Sequence, residues 1–222
     1  MLKKFLSVKA ICILCKQKHP RQHGLCPPCT RLLTPRGSAC VQCAVAIPSM
    51  HAPHCGHCLQ KKPAYDRILT AYRFEEPLRT LVHEFKYQEG FYLTDFLIHL
   101  MLEAQPHPFT QCLIPMPMHP QRLQHRGYNQ AVLLAKGLSK ALSIPYNTAL
   151  CQKKINTPAQ ASLSAPEREK NVLNAFSAHP SSFEHLTIID DVVTTGHTVN
   201  ALAHALKAQG IKIVDVWCCA RA

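Results

Sequence analysis

The segment "IIDDVVTTGHTV", residues 188–199, combines side chains that suit a phosphorylated sugar. An apolar stretch ends in two acids, and threonines and a glycine follow before the next helical pattern. The free N–H groups at a helix N-terminus attract a phosphate, and Thr194, Thr195 and Thr198 would add hydroxyl donors. Asp190 and Asp191 repel a phosphate, but their oxygens can accept hydrogen bonds from sugar hydroxyls or bind Mg²⁺. A solvated acidic turn is the alternative, and it leaves the spacing of the hydroxyls unexplained.

Other nucleotide-binding motifs are missing from the sequence. The chain contains neither G-x-x-x-x-G-K-[ST] nor Gly-x-Gly, which excludes the P-loop and the dinucleotide-binding fingerprint. Gly196 belongs to the 188–199 segment, where it permits a backbone twist and a close approach to a ligand. The segment is therefore the strongest candidate for a ligand site.

Cysteines form the second chemical pattern. Eight of the 12 cysteines make four Cys-x-x-Cys pairs, and ten, ten and eleven residues separate successive pairs. Two residues between thiolates let one loop present both sulfurs to a tetrahedral zinc ion. We prefer consecutive pairing because short loops close at the lowest entropic cost, although an alternating arrangement also fits the spacing. The sequence predicts two structural Zn²⁺ sites with the ligands Cys12, Cys15, Cys26, Cys29, Cys40, Cys43, Cys55 and Cys58.

Residues 1–63 are predicted to form a separate module around these metal sites. No aromatic residue lies between Phe5 and Tyr65, so the segment has little material for an apolar core. Residues 1–65 also hold ten Lys and Arg and no acid, whereas residues 66–222 hold fifteen Lys and Arg against thirteen acids. Such an excess of positive charge favours a polyanion, and an ordinary solvated basic surface is the alternative.

Residues 64–222 alternate between strand and helix patterns, which predicts an open, doubly wound α/β domain. Asn129 is a suitable cap for one helix, and Gly210 would end the last one. In such a sheet, ligands bind beyond the carboxyl ends of the strands, and the two acids occupy that place. Strands are predicted at 67–74, 111–116, 186–190 and 211–219, and helices at 76–87, at 92–104, after Asn129 and after Gly196.

Neither a membrane span nor a secretion signal is predicted. No apolar run approaches the roughly 18 residues that a span needs. The N-terminal stretch "MLKKFLSVKAICILC" faintly resembles a signal peptide, but Lys9 interrupts its apolar patch and no small-residue cleavage site follows. We therefore expect a cytoplasmic protein.

The 188–199 segment resembles the ribose-5-phosphate loop of type I phosphoribosyltransferases: an apolar strand, two acids and then Thr-Thr-Gly-x-Thr. The chain as a whole resembles the ComF family, which is known for natural competence and is related to amidophosphoribosyltransferases. Besides the loop and the paired cysteines, two segments carry this resemblance: "IPMPMHPQRLQHRGYNQA" (114–131) and "TPAQASLSAPEREKNVLNAF" (157–176). Together these features span nearly the whole chain.

The resemblance implies a type I phosphoribosyltransferase-like, doubly wound parallel sheet in residues 64–222, preceded by a double zinc ribbon. It also implies a site for phosphoribosyl diphosphate (PRPP) with Mg²⁺, in which Asp190 and Asp191 are the catalytic residues. The turn after the 111–116 strand would be the pyrophosphate loop, and residues 153–170 would close over the substrate. The residues expected to bind PRPP are Val193, Thr194, Thr195, Gly196, His197, Thr198, Met116, Pro117, Arg122, Arg126, Arg168 and Lys86.

Two functions are compatible with this resemblance. The first is a competence protein that handles incoming single-stranded DNA, together with other competence proteins, and that binds PRPP or a related ligand. The second is an enzyme that transfers phosphoribosyl to an unidentified nitrogen acceptor, by offsetting the charge of the departing pyrophosphate and excluding water. A zinc-stabilised adaptor is a third function, and we favour the first.

Overall fold

The computed structural model describes residues 9–20, 24–48, 53–104, 110–155 and 175–222. In the cysteine-rich part, β1 (Lys9–Ile11) and β2 (Lys18–Pro20) form an antiparallel hairpin. Two short helices follow, α1 (Pro27–Thr30) and α2 (Gly56–Gln60). Cys26 immediately precedes the first helix and Cys55 the second, so one complete Cys-x-x-Cys pair lies at the start of each helix.

The remaining elements alternate between strands and helices, as predicted. A 3-10 turn, Phe91–Leu93, precedes the second long helix. In chain order the elements are β3 (Arg67–Leu69), β4 (Tyr72–Arg73), α3 (Leu78–Tyr87), α4 (Thr94–Leu102), β5 (Cys112–Pro115), α5 (Pro120–Arg126), α6 (Gln130–Leu142), β6 (Cys151–Lys153), β7 (Phe176–Ala178), β8 (His185–Val193), α7 (His197–Ala208) and β9 (Ile213–Arg221).

The large sheet is parallel and has β8 and β9 at its centre. The strand order is β3-β9-β8-β5, and β4 pairs with β9 beyond the end of β3. Ile188 of β8 lies between Ile114 of β5 and Val216 of β9, and all three side chains are buried. The central strands are apolar along nearly their whole length, which is typical of parallel strands covered on both faces. The predicted α/β class with a parallel sheet is confirmed.

Successive residues of the central strands contribute to two separate apolar clusters, because neighbouring side chains of a strand point to opposite faces. Ile188 and Val216 belong to the cluster that contains the buried residues of α7. Ile189 and Trp217 belong to the cluster that contains those of α3 and α4 and most of those of α6. The indole N–H of Trp217 also donates to the carbonyl of Met101 at 2.9 Å. Helices therefore cover both faces of the sheet.

The cysteine-rich part packs directly against these elements. The buried cysteines that precede residue 30 share the cluster of α3 and α4, and those between residues 40 and 58 share the cluster of α7. The backbone takes part as well: the N–H of Arg73 donates to the carbonyl of Thr34 at 2.9 Å, and the N–H of Ile68 donates to the carbonyl of Gln42 at 2.8 Å. Both halves of the cysteine-rich part thus contact the α/β elements.

Several predicted details are confirmed. The Oδ1 atom of Asn129 accepts the N–H of Ala131 at 3.0 Å and so caps α6. Gly210, with φ of +90°, follows the end of α7. The predicted inward face of α3 is buried, namely Leu78, Leu81, Val82 and Phe85.

Several elements differ from the prediction, including the short strands β1, β2, β6 and β7, which were not predicted. The strand predicted at 67–74 is divided into β3 and β4, and α5 was not predicted at all. Helix α5 has only seven residues and buries none of them, so its sequence has no apolar period that could reveal it. Within the described residues, no helix has both the length and the apolar character that crossing a membrane requires.

Candidate functional site

Asp190 and Asp191 lie near the carboxyl end of β8, at the edge of the sheet where a ligand is expected. Asp191 is buried and Asp190 is half-buried. The backbone fixes both carboxylates, because Asp190 Oδ1 accepts the N–H of Asp191 at 2.9 Å and Asp191 Oδ1 accepts the N–H of Val192 at 2.6 Å. Lys86, in the last turn of α3, places its Nζ atom 2.9 Å from Asp191 Oδ1. The acid pair therefore has a cation beside it.

Burial and the neighbouring charges change the protonation of this cluster. Burial raises the pKa of Asp190 well above its usual value, and the charge of Asp191 raises it further, while Lys86 opposes the rise. Burial alone would lower the pKa of Lys86, but the carboxylates of Asp191 and Asp190 raise it above its usual value. Lys86 is thus charged at neutral pH. A bound cation such as Mg²⁺ would favour the ionised form of Asp190.

The residues after the acid pair form the turn into α7, a helix of 12 residues. Gly196 has φ of +82°, in the left-handed region that favours glycine. The turn is also tightly packed, because a Cβ at Gly196 would lie 3.3 Å from the hydroxyl oxygen of Tyr65. Val193 is buried, so the polar groups of the turn are the ones presented to solvent. The exposed residues are Thr194, Thr195, His197 and Thr198.

The turn after β5 lies beside the acid pair, since β5 pairs with β8. The N–H of Met116 donates to the carbonyl of Ile189 at 2.8 Å, and the carbonyl of Met116 accepts from Asn129 Nδ2 at 3.0 Å. Both backbone groups of Met116 therefore have partners within the protein. Pro117 is half-buried and has no N–H. A pyrophosphate would have to be bound by neighbouring side chains rather than by the backbone of these two residues.

The "RGYNQ" segment, residues 126–130, holds the end of α3 in place. The hydroxyl of Tyr128 donates to the carbonyl of Phe85 at 2.7 Å, and Gln130 Nε2 donates to the carbonyl of Lys86 at 3.1 Å. Arg126 in turn donates from Nη1 to Gln130 Oε1 at 3.1 Å. The segment thereby fixes the backbone that carries Lys86, and the guanidinium of Arg126 is partly engaged in this network.

Two further cations, Arg122 and Lys153, interact electrostatically with each other, and Lys153 also interacts with Asp190. Arg122 is exposed on α5, and Lys153 ends β6. Burial lowers the pKa of Lys153, and the charge of Arg122 lowers it further, while Asp190 opposes the decrease. Lys153 is therefore close enough to Arg122 and to Asp190 for the charge of each to act on it. Arg168, like residues 156–174 as a whole, lies outside the described residues.

Arg221 is a residue of the site that the sequence analysis missed. It ends β9, whose carboxyl end lies beside that of β8. Its Nε atom donates to the carbonyl of Cys43 at 2.9 Å, and its Nη1 atom donates to the carbonyls of Val193, at 3.2 Å, and of Thr194. One sequence signal could have identified Arg221: it is a cation at the end of a strand that runs parallel to the strand with the two acids. Arg221 therefore joins the second cysteine group to the turn before α7.

The eight predicted cysteines form two groups of four, and each group could hold a structural zinc ion. Within a group all the Sγ atoms lie within 4.8 Å of one another. Burial opposes ionisation of Cys12, but hydrogen bonds from backbone N–H groups, that of Cys26 first, lower its pKa to about 6. Backbone N–H groups likewise lower the pKa of Cys40 to about 7 against the effect of burial. These donors favour the thiolate, which is the form that binds metal.

The grouping confirms the preferred consecutive pairing. The first group is Cys12, Cys15, Cys26 and Cys29, and the second is Cys40, Cys43, Cys55 and Cys58.

The chain is similar along its length to proteins named for competence and for DNA utilization. It is 33% identical over 223 residues to Competence protein F of Haemophilus influenzae, covering 95% of this chain and 96% of that protein. The chain belongs to the ComF family. It is also 33% identical over 225 residues to DNA utilization protein YhgH of Escherichia coli K12, covering 97% of this chain and 99% of that protein. A scan against models of protein families finds no match.

In this ComF-family chain the structure brings some of the predicted site residues together and leaves others apart. Lys86 contacts Asp191 directly, whereas Arg122 acts electrostatically on Lys153, on which Asp190 also acts. Arg126 acts instead on the segment that fixes α3. The two cysteine groups agree with the double zinc ribbon that the resemblance implied.

Proposed function

We propose that this ComF-family chain binds PRPP with Mg²⁺ at its acid pair and handles single-stranded DNA in the cytoplasm during natural competence. The names of its relatives, Competence protein F and DNA utilization protein, support the link to DNA. The parallel sheet supports a type I phosphoribosyltransferase-like fold, because parallel sheets bind ligands at the carboxyl ends of their strands.

The observation that carries the PRPP proposal is the position of the acid pair, between Lys86 and the start of α7. A phosphate at residues 194–198 would meet exposed hydroxyls and the N-terminal N–H groups of a long helix. The ribose attached to it would then extend toward Asp190 and Asp191, whose oxygens can accept from its hydroxyls. One continuous turn would bind both halves of a ribose 5-phosphate.

The pyrophosphate of PRPP would lie on the side of the acid pair where Arg122 and Lys153 are found. Mg²⁺ prefers oxygen ligands and usually binds through carboxylates together with substrate phosphates. Bound in this way, it would offset the charge that develops on a departing pyrophosphate. We propose Arg168 as a further phosphate contact. The role of Lys86 would be to hold the Asp191 carboxylate in position through their ion pair.

Transfer of phosphoribosyl to a nitrogen acceptor is the alternative function, and the intact acid pair with its neighbouring cations favours it. An active enzyme would release pyrophosphate when PRPP, Mg²⁺ and a nitrogen nucleophile are supplied together. A pyrophosphate-release assay with ammonia, glutamine and free nucleobases distinguishes the two functions. Release of pyrophosphate with any of these acceptors, and loss of that release in Asp190→Asn, would establish turnover. Binding of PRPP without release of pyrophosphate would indicate a site that only binds the ligand.

The proposed DNA binding is supported by charge. The chain has a formal net charge of +12, and ten of its Lys and Arg lie in residues 1–65, which contain no acid. Two zinc ions with four thiolates each would remove about four of these charges, and a clear excess would remain. The division into a metal-binding module, residues 1–63, and an α/β domain, residues 64–222, stays a prediction, supported by the confinement of both cysteine groups to the first 58 residues.

Calorimetric titration with PRPP and Mg²⁺ tests the ligand site. We expect the wild-type protein to bind PRPP and Asp191→Asn to lose that binding. Asp66→Asn is the matched control. Asp66 also forms an ion pair with a lysine, Lys207, at 2.8 Å, but it lies away from the acid pair. Equal affinity in the wild type and in Asp191→Asn would remove the proposed site.

DNA binding is tested separately by its response to salt. Affinity for a single-stranded oligonucleotide should fall steeply between about 50 and 200 mM salt, because contacts to phosphates release counterions. An affinity that does not change with salt would contradict the electrostatic basis of the proposal.

A further inference from the structure

Three exposed aromatic residues belong to the end of α3 and to the 3-10 turn that follows and contacts it. Tyr87 is 59% exposed, Phe91 is 46% exposed and Tyr92 is 56% exposed. We call these three residues the aromatic platform. Clustered apolar groups on a protein surface usually mark a binding site, whereas single exposed ones need no explanation.

The platform is held in a fixed arrangement by its neighbours. The ring of Phe91 lies against the ring of Tyr128, with centroids 4.5 Å apart, and Tyr128 is itself bonded to the carbonyl of Phe85. The guanidinium of Arg126 lies 4.9 Å from the centroid of the Tyr87 ring. Rings that are already ordered lose little entropy when a flat ligand stacks on them.

The platform also adjoins the candidate PRPP site. Tyr87 directly follows Lys86, whose Nζ atom contacts Asp191 at 2.9 Å. Arg126, which lies over Tyr87, belongs to α5, and the same helix carries Arg122, whose charge acts on Lys153. Cations therefore lie beside Tyr87, while the hydroxyl of Tyr92 donates to the carboxylate of Glu84.

We propose that the aromatic platform stacks unpaired bases of single-stranded DNA. The inference rests on the proposed DNA-handling function and adds the surface that would recognise the bases. Arg126 and Arg122 would contact backbone phosphates beside the stacked bases, as their charge and planar donors allow. Stacking on aromatic rings tolerates every base, so this surface would bind DNA with little sequence preference. Duplex DNA would bind less well, because its bases are already stacked on one another.

The cations beside the rings favour DNA over an apolar protein partner. An apolar partner would have to desolvate Arg126 and Arg122 on binding, whereas a DNA strand would pair them with phosphates while its bases cover the rings. In a single strand of DNA, the phosphates would contact the arginines of this surface while the neighbouring bases stack on its aromatic rings.

The test compares an ordinary single-stranded oligonucleotide with an abasic strand of the same length, by fluorescence anisotropy at fixed salt. In the variant Tyr87→Ala/Phe91→Ala, affinity for the ordinary strand should fall about 5-fold to 150-fold for each lost ring. Affinity for the abasic strand should not change, because that strand offers phosphates without bases. Tyr146→Ala, which removes an exposed aromatic beside the start of β5, should change neither affinity.

Other results separate this inference from the proposed function. If the wild-type protein binds the ordinary strand but the double variant binds it equally well, the platform is not a base-binding surface, although DNA handling stands. If both strands lose affinity equally, the variant acts through phosphate contacts and the inference is wrong. A change of sedimentation with unchanged DNA affinity would identify the platform as a contact between copies. Tyr87→Ala alone serves as the variant if the double change impairs folding.

Discussion

Replacing Lys86 with methionine tests whether the acid pair depends on its buried cation. The side chain of Lys86 is 24% exposed and that of Asp191 is 9% exposed, so the ion pair between them is largely withdrawn from water. Removing one partner of a buried ion pair costs about 3–5 kcal/mol, because the other charge stays buried and uncompensated. We expect Lys86→Met to lower the free energy of unfolding by about 3 kcal/mol, the lower end of that range, since Lys86 keeps some contact with solvent.

The matched control for this change is Lys207→Met. Lys207 forms an ion pair of nearly the same length with Asp66, 2.8 Å, but the two side chains are 32% and 36% exposed. Ion pairs near the surface contribute about 1 kcal/mol or less, so the control should lose no more than that. The difference between the two variants isolates the effect of burial.

The assay is urea unfolding of the zinc-loaded protein at about pH 7.5 and about pH 5.5. Without Lys86, the pKa of Asp190 should rise further, because the cation that opposes its rise is gone. When the pKa of a carboxyl group is higher in the folded state than in the unfolded state, the folded protein becomes less stable as the pH rises toward and through the folded-state pKa. The decrease in the free energy of unfolding caused by Lys86→Met should therefore be larger at about pH 7.5 than at about pH 5.5. A penalty no larger than that of Lys207→Met, or one independent of pH, would refute the reasoning.

Three other changes address the turn, the metal sites and the acid pair. Gly196→Ala should destabilise the protein by about 1–2 kcal/mol in urea unfolding and weaken PRPP binding, whereas Gly127→Ala, at a similar φ of +81° with open space around it, should cost stability alone. Cys26→Ser should lose one of the two zinc ions by elemental analysis, and Cys112→Ser, outside both groups, should keep the full metal content. PRPP affinity in Mg²⁺ should rise with pH as Asp190 ionises, because burial and Asp191 raise its pKa; a calorimetric affinity that falls would contradict this.

Much of the fold was predictable because its signals are local. The apolar face of α3, the Asn129 cap of α6 and the stop at Gly210 each depend on a few neighbouring residues, and all three are confirmed. The cysteine pairs are equally local, so the sequence predicted both groups of four. Helix α5 escaped because it buries no residue and therefore has no apolar period.

The contacts that assemble the site were harder to predict because they join distant segments. Lys86 was a weak candidate from sequence, since a lysine in the last turn of a helix needs no partner, yet it reaches Asp191 across more than a hundred residues. The "RGYNQ" segment was recognisable by resemblance, but its hydrogen bonds to the end of α3 follow only from the packing of α3 against α6. Arg221 has no motif, and the register of two parallel strands places it at the turn.

A crystal structure of the protein grown with PRPP and Mg²⁺ addresses the central claim most directly. The account predicts a phosphate against the backbone of residues 194–198, with the ribose hydroxyls within hydrogen-bond distance of Asp190 and Asp191. Clear density for the protein with solvent alone beside Thr195 and both carboxylates, at saturating ligand, would contradict it.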